Sequence, residues 1–176
     1  MALTAAPFNL GFLTVLKDAI GYVGGYLVTN QWGRPLEFRI STAVQPNRVQ
    51  QILYGDTLEP YLCADLIGKT LVEKTAAPAQ LLVTDQRPML DLRWRVDAPV
   101  IWLAAAEDEA NETVGRLQQA TETQPAIYRH PNFPADDADL RPLLHRVESM
   151  LDLSEPFERV REAMHEAQKM GVTNRG

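Results

Sequence analysis

Two adjacent glycines, Gly24 and Gly25, interrupt a run of aromatic and branched residues, GYVGGYLVTN at 21–30. The run alternates like a strand, with Val23 and Leu27 on one face and Tyr22, Tyr26 and Val28 on the other. Glycine inside a strand offers nothing to pack and weakens it. A pair kept there marks a bulge, or a backbone or helix pressed close to the sheet. Both faces of this strand carry large apolar residues, so both are expected to be covered. That constrains the fold more than any other feature of the chain.

The flanking segments extend the pattern. Residues 8–17 place Phe8, Leu10, Phe12 and Leu16 on one alternating face, which predicts a strand. Asn30-Gln31-Trp32-Gly33-Arg34-Pro35 reads as a turn, with Gly33 free to take positive φ and Pro35 unable to donate to a ladder. A third strand is expected at 36–42, with Leu36, Phe38 and Ile40 inward and Glu37, Arg39 and Ser41 outward. Pro46-Asn47 opens a helix carrying Val49, Ile52 and Leu53 as far as a break at Gly55-Asp56. A longer helix is expected over 58–74, with Pro60 tolerated in its first turn.

Further on, QLLVTD (80–85), LDLRWRV (90–96) and PVIWLA (99–104) read as strands, the second by strict alternation and the third as a continuous apolar run. Residues 107–119 predict a helix whose Glu107, Asp108 and Glu109 suit the positive end of its dipole. AIYR (126–129) is a short extended piece, and the Pro-punctuated residues 131–138 read as a linker. Two amphipathic helices follow, one burying Leu140, Leu143, Leu144, Val147 and Met150, the other Phe157, Val160 and Met164. The expected fold is α+β, with a mainly antiparallel sheet of five to six strands. In this reading residues 1–130 form the core, and 139–171 form a helical hairpin packed on that core or on a partner.

Composition narrows the function. A chain of 176 residues, 45% hydrophobic, buries a single core, and its net charge of −6 disfavours a protein that binds chiefly by neutralising phosphates. No apolar run approaches the roughly 20 residues of a membrane span, and the start MALTAAPFNL lacks a basic signal region. The chain therefore reads as soluble and cytoplasmic. Cys63 is the one cysteine, set in an apolar helical pattern, and is expected to be a small core residue.

Each motif with a catalytic flavour lacks a part. Gly68-Lys69-Thr70 ends like a phosphate-binding loop, but Cys63 stands where the first glycine belongs. His165-Glu166 resembles half of a zinc helix, but Lys169 occupies the second histidine position. His130 and His145 have no ligand partners at local spacing. Asp136, Asp137 and Asp139 lack the glycine and distant Glu of a calcium loop, and no Ser, Cys or His arrangement supplies a nucleophile. Neither metal nor cofactor is expected.

Three expectations follow. The first is a non-catalytic interaction or scaffold subunit, binding a protein partner or another copy of itself through Trp32, Arg34 and Tyr26 of the hairpin and Leu143, Val147 and Phe157 of the terminal helices. The alternative is a metal-dependent hydrolase or nuclease with Asp85 and Asp91 as metal carboxylates and Glu73 or Lys74 assisting. The third is nucleic-acid binding on a sheet face bearing Arg34, Arg39, Arg48, Arg93 and Arg95, against which the net charge weighs.

Overall fold

Both faces of the glycine pair are pressed by helices. The computed structural model describes residues 6–105 and 115–171. Strands β1 (Asn9–Asp18), β2 (Gly21–Asn30) and β3 (Pro35–Ile40) form an antiparallel meander. A Cβ on Gly24 would meet Ile67 Cγ2 at 2.2 Å on one face, and one on Gly25 would meet Met164 Sδ at 2.5 Å on the other. The glycines answer to close approach, not to a bulge. The irregularity in the β2–β3 ladder lies elsewhere, between Val28 and Thr29.

After β3 the chain forms α1 (Arg48–Tyr54), a 3₁₀ turn, and then one continuous helical rod. That rod comprises α2 (Leu58–Pro60), a π-helical stretch at Tyr61–Gly68, and α3 (Lys69–Lys74). It returns the chain so that β4 (Leu81–Thr84) lies parallel to β1, and β5 (Val100–Ala104) then lies parallel to β4. An antiparallel hairpin, β6 (Arg116–Gln118) and β7 (Ala126–Arg129), pairs with β5 through β7. Among the described residues the result is one seven-stranded mixed sheet in the order β3-β2-β1-β4-β5-β7-β6. The expected mainly antiparallel sheet of five to six strands is corrected by the two parallel pairings at its centre.

Segment 90–96 is also corrected. Arg87–Trp94 is a 3₁₀ helix that buries Met89, Leu90 and Leu92 against the π-helical stretch instead of forming a ladder. Alternation of Leu90 and Leu92 reads like a strand, yet a single-sided turn buries both equally well. The helix expected over 107–119 falls mostly outside the described residues, and its last residues belong to β6.

The sheet separates two apolar layers. On one face Leu13, Tyr26, Val28, Leu82, Trp102 and Tyr128 pack under Leu62, Ala64, Ile67 and Leu71 of the rod. On the other, Phe12, Val23, Leu27, Val83, Ile101 and Leu103 pack under α4 (Asp137–Glu148) and α5 (Glu155–Lys169). Phe12 and Phe157 meet edge to face at 5.6 Å. The terminal helices thus cover the chain's own sheet, and the segment read as a linker holds a 3₁₀ turn at Pro134–Asp136 and the start of α4.

Candidate interaction surface

The surface with most unmet potential is β3, the terminal strand of the sheet. Its burial is low along its whole length, with Leu36 49% and Phe38 36% exposed. The amide of Ser41 donates to Gly24 O at 2.8 Å, so by alternation Glu37 and Arg39 turn their amides to β2, while Phe38 and Ile40 turn theirs to the open side. Side chains alternate as well. Phe38 pairs across from Leu27 on the α5 face, and Glu37 pairs across from Val28 on the other. The edge thus shows an apolar row on one face and a charged row on the other.

That charged row is held rigidly. Glu37 accepts from the Ala76 and Ala77 amides at 3.1 Å each and from Arg39 Nε at 2.8 Å. These donors, Ala77 foremost, hold the Glu37 carboxyl below the usual carboxylate range against an opposing effect of desolvation.

The turn before β3 is equally well built. Asn30 Oδ1 accepts from the Trp32 and Arg34 amides, both at 3.0 Å, and Gly33 takes φ 87. Arg159 of α5 donates to Gly33 O at 2.9 Å, tying the turn to the body of the protein. Trp32 is left 64% exposed, so it does not fold back on the hairpin. Helix α1 is more exposed still. Its capping box at Asn47 and Gln50 is complete, yet it buries no residue, and Val49, Ile52 and Leu53 form a stripe 63, 64 and 77% exposed.

The other residues singled out from the sequence scatter. Tyr26, Val147 and Phe157 are core residues, and Leu143 packs partly against the same core, so the surface open to a partner contains Trp32 and Arg34 but not these. Asp85 bonds Thr14 Oγ1 at 2.9 Å and Arg161 Nη1 at 2.6 Å, on the α5 side. Asp91, in the 3₁₀ helix, faces His130 at 3.1 Å. Glu73 pairs with Lys69 one turn away on an exposed helix face, and Lys74 ends that helix. Each has a different neighbourhood. Among the described residues, no three His, Cys, Asp or Glu side chains gather where a metal ion would need them.

The arginines separate for a related reason. Arg39 is paired with Glu37, Arg93 is forked onto Asp136 at 2.8 and 3.2 Å, and Arg95 meets Asp65 at 3.0 Å. Arg34 and Arg48 stay exposed. With 90–96 not a strand, no shared arginine face forms, and three of the five charges are answered locally.

His130 was legible only as an isolated histidine. In the structure the Asn132 amide donates to its Nδ1 at 3.1 Å, and Nε2 lies 3.1 Å from Asp91 Oδ1. Trp94 Nε1 lies 3.1 Å from the same Nε2, and Phe133 stacks edge-on against both rings. Both ring nitrogens have polar neighbours, which suits a clamp between the 3₁₀ helix and the end of β7. The missing signal was distance, since Asp91 lies 39 positions from His130.

No protein-family model matches the sequence, and no curated protein matches it. A solved structure does. In fold, the chain is similar to an endonuclease. The structure is that of Ciona intestinalis endonuclease V in complex with a 23mer DNA containing an inosine followed by a ribo-adenosine. The TM-score is 0.51 at 11% identity, over 93% of this chain and 87% of that one. At such identity the endonuclease likeness speaks for the fold alone. It lends the scaffold expectation nothing, and its activity is not carried over by any residue described above. Among the described residues, no helix is long and apolar enough to cross a membrane.

Proposed function

We propose that the chain is a self-associating, non-catalytic subunit whose β3 edge pairs with β3 of a second copy. The observation that carries this is the strand's self-complementary order, Leu36-Glu37-Phe38-Arg39-Ile40. Turned antiparallel on itself about Phe38, it sets Phe38 against Phe38, Glu37 against Arg39, and Leu36 against Ile40. Phe38 and Ile40, whose amides face outward, then supply the new ladder. Opposite charges and apolar pairs across antiparallel strands contribute roughly 0.2–1 kcal/mol each, and like charges in those places oppose pairing. A two-fold dimer needs such a patch to be complementary to itself.

Sedimentation velocity from micromolar to near-millimolar protein tests the proposal. A concentration-dependent monomer–dimer equilibrium is expected. Arg39→Glu, which sets glutamates opposite one another, and Phe38→Pro, which removes an outward amide while sparing the β2 ladder, are each expected to leave a folded monomer. A wild-type chain that stays monomeric throughout, or variants that dimerise as well as wild type, would overturn it.

A second reading rests on the DNA held by the structural neighbour. Here Trp32 stacks on a base while Arg34 and Arg48 meet phosphates. It ranks lower because the chain is acidic and three candidate arginines are already paired. Fluorescence anisotropy with single- and double-stranded oligonucleotides decides it: binding must weaken steeply between 50 and 200 mM salt and fall with Arg34→Ala. Salt-insensitive or absent binding removes this reading.

A further inference from the structure

The edge of the sheet continues past the end of β3. Val44 exchanges both of its backbone hydrogen bonds with Tyr22 at 2.8 Å, so the chain keeps to the margin of β2 from Leu36 through Val44. Beside this stretch lies a cavity of about 570 Å³, walled by Leu66, Thr70 and Lys74 of the rod and by Thr42 and Val44 of the edge. None of these five side chains is buried, so each is open to whatever enters.

The register of the β3 pair decides what comes near it. With Phe38 opposite Phe38, each step back along one strand is a step forward along the other. The partner's Arg34 therefore falls beside Thr42, and the partner's Trp32 beside Val44, both on the cavity wall. Residues opposite one another on antiparallel strands send their side chains to the same face. Val44 packs against the core on the rod side, and the cavity lies on that side. Trp32 is 64% exposed on its own chain, and its amide is held by Asn30 Oδ1 at 3.0 Å, so the turn offers the ring on a fixed backbone.

The ladder also needs more contact than it makes by itself. A pairing of Leu36 to Ile40 falls well short of the roughly 20–30 residues a side that a stable interface uses. A tryptophan seated in a pocket is the commonest kind of energetic centre for such a surface.

We infer, on the strength of the β3 pairing proposed above, that the partner's Trp32 anchors the dimer by entering the cavity between Val44 and Thr70. Two-fold symmetry makes the contact twice. The cations on the lining are Arg39, which Glu37 answers at 2.8 Å, and Lys74, whose ammonium suits an indole face. The partner's Arg34 meets the edge at Thr42, an exposed residue, where solvent and salt screen it from Lys74.

Sedimentation of Trp32→Ala and of Thr70→Tyr, which fills the cavity from an exposed helix position, tests the anchor. Each is expected to weaken the dimer at least tenfold while leaving the circular dichroism spectrum and urea midpoint of the chain unchanged. Cross-linking then locates the contact. Copies carrying Trp32→Cys are mixed at near-millimolar concentration with copies carrying Thr70→Cys, both with Cys63→Ala, and mildly oxidised. A disulfide-linked heterodimer is expected from the mixture and from neither variant alone. A wild-type chain that never dimerises removes the β3 pairing and the anchor together. A dimer that Phe38→Pro abolishes, but that Trp32→Ala and Thr70→Tyr leave equally tight or that forms no link between positions 32 and 70, overturns the anchor alone.

Discussion

Ile67 on the π-helical stretch lies so close over Gly24 of β2 that a Cβ there would come within 2.2 Å of its Cγ2. The neighbouring Gly25 meets the end of Met164 in the same way from the opposite side. With no side chain at either residue, a helix on each face comes close to the strand.

Replacing either glycine with alanine should overpack the core, at a cost of about 1–3 kcal/mol. Gly24→Ala should be the worse of the two, because the Ile67 methyl is on a branched carbon with little freedom, whereas Met164 swings its sulfur aside. Urea denaturation of both variants ranks them. Adding Ile67→Ala to Gly24→Ala should cost less than the sum of the two single changes, and strict additivity would show that the contact is not the cause.

The Asp85–Arg161 pair ties α5 to the end of β4. Burial is the larger influence on Asp85 and lifts its carboxyl above the ordinary value, while Thr14 and Arg161 pull the other way. Because the folded value is raised, the folded state holds this proton more tightly than the unfolded chain. The stability Asp85 contributes is therefore fully present below the unfolded value and is lost as pH rises through the folded one. Arg161→Met should lift the carboxyl further and cost about 1–2 kcal/mol at pH 7, discounted for the partial exposure of the guanidinium. As pH falls and Asp85 takes up its proton, the deficit should shrink. An equal deficit at neutral and acid pH, measured by urea denaturation, would exclude a charge effect.

Glu37 behaves in the opposite sense. Its depressed folded value means that its contribution is present above the unfolded value and lost as pH falls through the folded one. Acidification should therefore release the Ala76 and Ala77 amides ahead of the rest of the protein. Hydrogen exchange at those two positions, corrected for intrinsic rates, is expected to lose protection at low pH in the wild type. In Glu37→Ala that protection should already be missing at neutral pH.

Cys63 is 5% exposed, and burial pushes its thiol up to about 12. At pH 8 its thiolate fraction is then on the order of one in ten thousand, and reagent has no path to it. Ellman's reagent should react with the native chain only as fast as the rod opens, and at once in urea. Rapid native labelling would place the thiol at the surface.

What could be read from the sequence were features with a local cause. Alternation located β1, β2 and β3 to within about two residues. Gly33 had the freedom its turn uses, Asn47 sat where a cap is needed, and Gly24-Gly25 announced either a bulge or a close approach without choosing between them. Misreadings came where the local pattern fits two structures. Leu90 and Leu92 suit a strand or a one-sided 3₁₀ turn, and packing against Leu62–Leu71 chose the turn. Exposure of Trp32 and of the α1 stripe was also undecided, since periodicity shows that a face is apolar and not what covers it.

The sequence by itself determined which segments are strands or helices wherever side-chain period, turn chemistry and capping agree, because those forces act between residues a few positions apart. Tertiary structure alone decided that β4 enters parallel beside β1, that α4 and α5 close over their own sheet, that Asp91 meets His130, and that β3 is left as a free edge. Those outcomes depend on which apolar faces find each other across tens of residues, and the burial that settles them is non-directional until the whole chain has come together.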